Sequence, residues 1–187
     1  MRTHWLANQG LGANEIIAKL KEWQVRKDTF FFAYIPRFTA VRKGGRLAPI
    51  DKGIVKMVIN YAESKGMGVA SVADCIKPDP KAPYAAKGQS LGLGTPEKMR
   101  NAGGKIPKGL IKFATKAGAP VYDVILNHAA APHHMEDLLN ELQAAPSFKI
   151  RNVYLAEVSS LMASQIGHDM LQGFFWPADE MEFIERD

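Results

Sequence analysis

The stretch Phe30–Leu47, FFFAYIPRFTAVRKGGRL, decides the fold class of this chain of 187 residues. It begins with three successive phenylalanines, which favour a strand buried on both faces. A short helix is predicted at Pro36–Val41, followed by a cationic glycine turn, Arg42–Arg46. A buried strand that carries such a turn to the surface is suited to binding an anion. Alternatively, Gly44 and Gly45 end the helix by adopting a left-handed conformation.

Hydrophobic periodicity on either side of this stretch predicts helices alternating with strands. Amphipathic helices are predicted at Leu11–Val25, Asp51–Ser64, Pro107–Ala117, Pro132–Ala144 and Ser159–Leu171. Strands are predicted at Thr29–Tyr34, Met67–Ile76, Val121–Asn127, Val153–Val158 and Gly173–Trp176. This alternation predicts an α/β fold in which helices pack on a mixed sheet.

The segment of about 79–102 interrupts the pattern, because it is rich in proline and contains Gly88, Gly92 and Gly94. It is predicted to be a long surface loop with one helical turn at Pro96–Arg100. Its glycines do not have the GxGxxG spacing and no Gly-Lys-Ser/Thr follows them, so a phosphate-binding loop is disfavoured.

Composition narrows the class of protein. Hydrophobic residues make up 47% and charged residues 23%, which is typical of a globular domain. The net charge is +5, and the sequence contains no block of five or six consecutive basic residues. This pattern disfavours nucleic-acid binding. No apolar run approaches the roughly 18–20 residues of a membrane span. One cysteine, Cys75, excludes an internal disulfide, and without an export signal a cytoplasmic location is expected.

Candidate catalytic and metal-binding residues are few. His133 and His134 are adjacent in the sequence and do not have the i, i+4 spacing of helical zinc ligands, so no metal is predicted. His128 ends a strand, where polar residues of α/β sheets often face a ligand crevice. No nucleophile elbow or carboxylate pair is present, and no catalytic residue is predicted. The enzymatic alternative places a site at His128, His168 and Asp169.

Six short motifs occur in an order that matches one protein family. They are Gly12–Ile17, Phe30–Leu47, Ile76–Pro78, Gly103–Ile106, Val124–Ala129 and Asn152–Phe175. In this order, over about 165 residues, they resemble the C-terminal half of the DegV family. The resemblance implies that residues 29–187 are a DegV-like α/β domain with an inserted loop at about 79–102. Residues 1–28 would be a helical segment that remains from a missing N-terminal domain.

The resemblance also implies a function. DegV proteins bind a long-chain fatty acid and present its carboxylate to a fatty-acid kinase, so the expected ligand is a fatty acid, with no other cofactor and no catalysis by this chain. Arg46 and Gly45 match the family's Gly-Gly-Arg turn, and a guanidinium is well suited to a carboxylate. His128 matches the family's strand ending in His-Ala. Gln165 stands where the family has the histidine of His-Thr-Gly-Pro-Gly, and His168 follows three residues later.

A second interpretation gives the same fold a different role. The family's N-terminal half, which supplies further hydroxyl ligands to the carboxylate, has no counterpart in this sequence. In this alternative the chain is a truncated DegV-like domain without lipid binding that acts as a protein-interaction module. It would form a homodimer or pair with a separate chain that supplies the missing half.

Overall fold

The computed structural model describes residues 2–24, 29–43, 52–79, 82–117 and 121–178. The helices of this part of the chain are α1 (Arg2–Asn8), α2 (Ala13–Gln24), α3 (Phe38–Lys43), α4 (Gly53–Ser64), α5 (Pro96–Arg100), α6 (Lys105–Ala117), α7 (Pro132–Ala144) and α8 (Ser160–Ile166). The strands are β1 (Phe30–Ile35), β2 (Gly68–Asp79), β3 (Ala82–Gly94), β4 (Val121–His128), β5 (Lys149–Glu157) and β6 (Leu171–Pro177).

The strands form a six-stranded sheet in the order β3-β2-β1-β6-β4-β5. Strands β4 and β5 pair in parallel, whereas the pairs β3–β2, β2–β1, β1–β6 and β6–β4 are antiparallel. The sheet is therefore mixed, and helices cover it. The predicted α/β class is confirmed.

Strand β1 lies in the interior of the sheet and explains the aromatic run of the sequence. Its alternate residues Phe30, Phe32 and Tyr34 point into the main core and are fully buried. The Phe30 ring stacks on Phe175 at 4.6 Å and meets the edge of Tyr122 at 5.5 Å. Burial of each such ring contributes about 2–3 kcal/mol to folding, so this cluster is the centre of the hydrophobic core.

Helices cover both faces of the sheet. The face that carries Phe30, Phe32 and Tyr34 packs against α5, α6 and α7 through Met99, Ile106, Leu110, Met135, Leu138 and Leu142. The other face meets α3 and α4 at one end, where Phe38, Val41, Ile59 and Ala62 form a second cluster with Ile35 and Ile166. Helices α1 and α2 pack on each other through Leu6 and Ile16 in a third, smaller cluster.

The predicted surface loop at about 79–102 is wrong, because β3 occupies Ala82–Gly94 and pairs with β2 over most of its length. The proline and glycine content misled the prediction. β3 is an edge strand with several register irregularities, and edge strands and bulges tolerate both residue types. The helical turn predicted at Pro96–Arg100 is confirmed as α5.

The closing segment also differs from its prediction. The helix expected to reach Leu171 ends at Ile166, because Gly167 follows with a φ of 96° that a helix does not accommodate. Residues 167–170 form a turn, and β6 begins at Leu171. His168 therefore lies in a turn and not on a helix.

Candidate functional site

Several polar residues lie close together at one end of the sheet. Tyr34 of β1 lies opposite Leu171 of β6, and Leu171 lies opposite His128 of β4. Residues opposite each other in an antiparallel pair point to the same face, so these three share one row at the ends of their strands. The first turn of α7 and the turn at 167–170 border the same row.

His128 is held in place by the backbone around it. Its Nδ1 accepts a hydrogen bond from the Ala131 N–H at 3.3 Å, and its carbonyl oxygen accepts from the Val158 N–H at 2.9 Å. An N–H that donates to Nδ1 requires that atom to be unprotonated, so the ring proton is on Nε2. His128 thus helps to shape the turn into α7 and presents Nε2 as its remaining polar atom.

The turn at 167–170 is fastened to the end of β4. The Asp169 N–H donates to the Ala129 carbonyl at 2.8 Å, and the Ala129 N–H donates to the Met170 carbonyl at 3.0 Å. His168 is exposed and its Nδ1 lies 3.0 Å from the Asp169 carboxylate. These bonds bring together the segments that carry His128, His168 and Asp169. A functional role for these residues stays a prediction.

Three further residues were predicted for the site, namely Gln165, Gly45 and Arg46. Gln165 is half-buried near the end of α8. Gly45 and Arg46 lie outside the described residues, as does the predicted cap at Gly44. The assignment of Arg46 and Gly45 to ligand binding therefore stays a prediction.

A cluster of polar groups lies at the same end of the sheet and was not predicted. Tyr34 is fully buried, and its hydroxyl has no hydrogen-bond partner within the described part of the chain. Arg100, the last residue of α5, has a buried Nε and a buried Nη1 that are also without a partner there. Buried polar groups are almost always hydrogen-bonded, so three unpaired donors in one region are unusual.

Electrostatic effects connect His134 and Asp169 with this pair. Burial raises the pKa of Tyr34 to about 12, an effect opposed by the Arg100 guanidinium and supported by the Glu97 and Asp169 carboxylates. Burial lowers the pKa of His134, and the charge of Arg100 lowers it further. The Arg100 charge therefore acts on Tyr34 and His134 together. We refer to Tyr34, Arg100 and His134 as the buried cation cluster, after the buried nitrogens of Arg100, although His134 itself is half-buried.

Glycines bring α5 close to the sheet. Gly68 and Gly94 pair across β2 and β3. A Cβ on Gly68 would lie 2.6 Å from the Ile35 carbonyl oxygen and 2.9 Å from the Tyr34 ring, and a Cβ on Gly94 would lie 2.9 Å from the Met99 sulfur. Neither contact is sterically acceptable, so glycine at both positions allows Tyr34 and α5 to pack together.

The turn after α5 fixes the direction of its last residue. The Gly104 N–H donates to the Asn101 carbonyl at 2.6 Å, which closes a tight turn into α6. The Gly103 N–H donates to the Glu141 carboxylate on α7. The turn after α5 is thereby attached to the C-terminal half of α7.

Other features do not add to this site. Across the described ranges, no group of three His, Cys, Asp or Glu side chains has the geometry to hold a metal ion. An open cleft of about 480 Å³ is lined by Gln143, Ala145, Pro146, Phe148, Lys149 and Ile150. It lies at the start of β5, the opposite end of the strand from the residues that adjoin His128. The helices described include none that is long and apolar enough to cross a membrane.

Sequence reasoning missed the buried cation cluster, and its three residues differ in the signal that they gave. Tyr34 gave a usable signal, since it alternates with Phe30 and Phe32 and its hydroxyl must be buried on the same face. Arg100 gave none, because one arginine at the end of a five-residue helix looks like an ordinary exposed charge. The spacing of His134 from His133 bears only on metal binding, and it does not reveal that His134 lies in the first turn of α7 beside other polar groups.

No family model and no curated protein matches the sequence. Solved structures do match. A DegV family protein from Eubacterium eligens loaded with heptadecanoic acid aligns at 14% identity with a TM-score of 0.66, covering 94% of this chain and 54% of that one. A Thermotoga maritima protein described as revealing a fatty-acid binding function aligns at 16% identity with a TM-score of 0.64, covering 92% and 51%.

The chain has a divergent DegV-like fold. The Streptococcus pneumoniae fatty acid kinase B3 protein loaded with linoleic acid also aligns, at 14% identity with a TM-score of 0.62, covering 92% of this chain and 52% of that one. The DegV-like chain spans about half the length of these structures. The resemblance inferred from the six motifs is confirmed at the level of the fold.

Proposed function

We propose that this DegV-like chain binds the carboxylate of a long-chain fatty acid and has no catalytic role of its own. The observation that carries the proposal is the match of nearly the whole chain to structures described as loaded with heptadecanoic or linoleic acid. The six motifs support it independently, because they were recognised in the sequence alone. Presentation of the bound carboxylate to a fatty-acid kinase is the partner function that we propose with it.

The residues proposed to contact the ligand come from the motif resemblance and from the arrangement of side chains at the end of the sheet. Arg46 and Gly45 are proposed as headgroup contacts because of the motif resemblance. His128 and His168 are proposed because their segments meet at one end of the sheet, where Asp169 and Ala129 are hydrogen-bonded. Gln165 is proposed as a further polar contact on α8. The acyl chain would be accommodated by apolar surface, at roughly 0.8 kcal/mol for each buried methylene.

Binding is tested by extraction and by titration. Protein purified from cells is extracted, and fatty acids are quantified by mass spectrometry against protein concentration. Delipidated protein is then titrated with oleate. We expect co-purified long-chain acids and saturable binding. We also expect Arg46→Gln to weaken oleate binding, whereas Arg37→Gln, which removes an equal charge from the exposed residue before α3, should not. Protein that is consistently empty and does not bind oleate would overturn the proposal.

A second candidate function is favoured by one specific observation, the apolar outer surface of α4. Ile54, Met57 and Tyr61 of this helix are 79%, 70% and 57% exposed, although they are among its most hydrophobic residues. Leu161 and Met162 of α8 are also exposed. Exposed apolar residues of this kind typically mark an interaction site, and here the proposed occupant is a second copy of this chain or a chain that supplies the other half of a DegV-like protein.

Sedimentation distinguishes this candidate from the first. We expect wild-type protein at micromolar concentration to dimerise, and Met57→Lys to produce a monomer with unchanged circular dichroism. Lys56→Met, its neighbour on the helix, is the control and should not reduce association. A wild-type monomer across this concentration range would remove the homodimer from consideration.

A further inference from the structure

In the described part of the chain, the buried cation cluster contains hydrogen-bond donors that no protein acceptor satisfies. The unpaired nitrogens of Arg100 and the hydroxyl of Tyr34 are donors without acceptors among the described residues. A guanidinium is charged at any ordinary pH, so it does not escape the cost of burial by losing its proton. An arrangement that buries a charge without a partner is unfavourable by itself and becomes favourable when an anion is added.

The two described carboxylates that act on Tyr34, Glu97 and Asp169, do not accept these hydrogen bonds. Glu97 is exposed on the surface of α5, and Asp169 is paired with His168 at 3.0 Å. Both act on the cluster through space, yet neither accepts a hydrogen bond from Nε or Nη1 of Arg100. The third member, His134, has a lowered pKa because of burial and the Arg100 charge, and is therefore neutral near pH 7.

Helix α7 adds to the positive potential. His134 lies in its first turn, and that turn contains no acidic residue and no side-chain cap at Ala131. The N-terminus of a 13-residue helix attracts anions through its dipole and its unpaired N–H groups. The helix end supports the assignment, and the buried, unpaired hydroxyl of Tyr34 and nitrogens of Arg100 carry it.

We propose that Arg100, Tyr34 and His134 bind the carboxylate headgroup of the ligand. Their ability to bind a carboxylate follows from the cluster, whereas the identity of that carboxylate as a fatty acid rests on the proposed function. Arg100 donates from Nε or Nη1 to one carboxylate oxygen, the Tyr34 hydroxyl donates to the other, and His134 donates when it is protonated. Arg100 as a whole is half-buried, so the site is open to solvent on one side.

The charge of the site favours a carboxylate over a phosphate. One guanidinium supplies one fixed positive charge, and the neutral His134 supplies none near pH 7. A monoanion balances the charge of Arg100, whereas a phosphate dianion would bring a second negative charge next to Asp169. The apolar residues Met99 and Leu171 are buried in the core that contains Tyr34, which further penalises a doubly charged group.

The test uses two carboxylates of different length, oleate and acetate, and inorganic phosphate. Four proteins are compared: wild type, Arg100→Gln, Tyr34→Phe and Lys98→Gln. Lys98 is exposed on the same helix, so Lys98→Gln removes an equal charge without touching the cluster. Oleate binding is measured by titration calorimetry. Binding of acetate and of inorganic phosphate is measured from the chemical shift of the His134 ring by NMR. Circular dichroism checks that each variant is folded.

We expect Arg100→Gln to weaken oleate binding roughly 10- to 100-fold and Tyr34→Phe roughly threefold to tenfold, with Lys98→Gln within twofold of wild type. Acetate should shift the His134 resonance in wild type and not in Arg100→Gln. If wild type binds oleate and folded Arg100→Gln binds it equally well, the inference is overturned and the proposed function stands. If acetate shifts His134 through Arg100 while oleate does not bind, the cluster is supported and the proposed function fails. A shift with phosphate but not with acetate overturns the choice of a carboxylate.

Discussion

The backbone N–H of Asp169 donates to the carbonyl oxygen of Ala129 at 2.8 Å. Both Asp169 and Ala130, which follows Ala129, have left-handed φ angles, 64° and 53°, which are uncommon for residues other than glycine. The bond joins two strained turns, one leading from β4 into α7 and the other leading from α8 into β6. It also places the Asp169 carboxylate where it acts on Tyr34 and His134, so the end of the sheet becomes one electrostatic unit.

Tyr34→Phe tests whether the unpaired hydroxyl destabilises the ligand-free protein. Removal of a buried hydroxyl without a partner should raise the free energy of unfolding by about 1 kcal/mol or leave it unchanged. Tyr122→Phe is the matched control, because the Tyr122 hydroxyl donates to the Ala114 carbonyl at 3.5 Å within the same core. This control should lose about 0.5–1 kcal/mol. Urea denaturation measures both, and equal losses in the two variants would show that Tyr34 has a partner after all.

Alkaline pH provides a second test of Tyr34. Its pKa in the folded protein is about 12, above the ordinary value of 10, so the unfolded chain ionises first. The stability that Tyr34 confers is complete below pH 10 and is lost as the pH rises towards 12, by roughly 2–3 kcal/mol. Wild type should therefore lose more stability than Tyr34→Phe between pH 10 and 12. Parallel curves for the two proteins would contradict the raised pKa.

Arg100→Met tests the cost of the unpaired guanidinium. Methionine fills a similar volume without a charge, so the ligand-free variant should be more stable than wild type by about 1–3 kcal/mol. Arg42→Met is the control, because Arg42 donates to Glu63 and to the Asn60 side chain at 2.9 Å. Loss of these partners should destabilise the protein. If Arg100→Met is the more destabilising of the two in urea denaturation, Arg100 has a structural role.

His134 makes stability depend on mildly acidic pH. Burial, the Arg100 charge and His133 lower its pKa, and the smaller effects of Asp169 and Asp137 oppose them. Because the folded pKa lies below the unfolded value of about 6.5, the unfolded chain takes up the proton first as the pH falls. Stability contributed by neutral His134 is complete above pH 6.5 and is lost below it. His134→Gln should flatten this part of the pH–stability curve, whereas His4→Gln, an exposed control on α1, should leave it unchanged.

The ion pair between the buried Asp123 of β4 and the partly exposed Arg151 of β5 gives a prediction for the scaffold. Asp123 is fully buried and accepts from Arg151 at 2.6 and 3.1 Å and from Asn152 at 2.9 Å. Asp123→Ala removes the buried carboxylate that accepts these three hydrogen bonds and should cost about 2–3 kcal/mol. The double variant Asp123→Leu with Arg151→Met removes both charges and should cost less than the single variant. A double variant that is less stable than Asp123→Ala would contradict this account of the pair.

The sequence predicted the fold well where one type of pattern dominated. Phe30, Phe32 and Tyr34 alternate as a buried strand requires, and the helix predicted at Pro132–Ala144 matches α7 at both ends. β3 was missed because proline and glycine predict a loop wherever their neighbours in the sheet are unknown. Its pairing with β2 is a long-range contact that no local pattern contains.

The site was less accessible to sequence reasoning, because its residues come from distant parts of the chain. Motif resemblance led to Arg46, His128, Gln165 and His168. Tyr34, Arg100 and His134 became apparent from burial and unpaired donors, which depend on how β1, α5 and α7 pack together. Motifs shared with a family thus indicate the residues that its members have in common. Residues that are particular to this chain can be identified only from its fold.

The most direct test of the central claim is the oleate titration of delipidated wild-type protein. The account predicts saturable binding with a stoichiometry close to one oleate per protein chain. The heat release should disappear when the protein is already loaded with oleate. Absence of saturable binding by folded protein, at oleate concentrations that remain monomeric, would contradict fatty-acid binding by this chain.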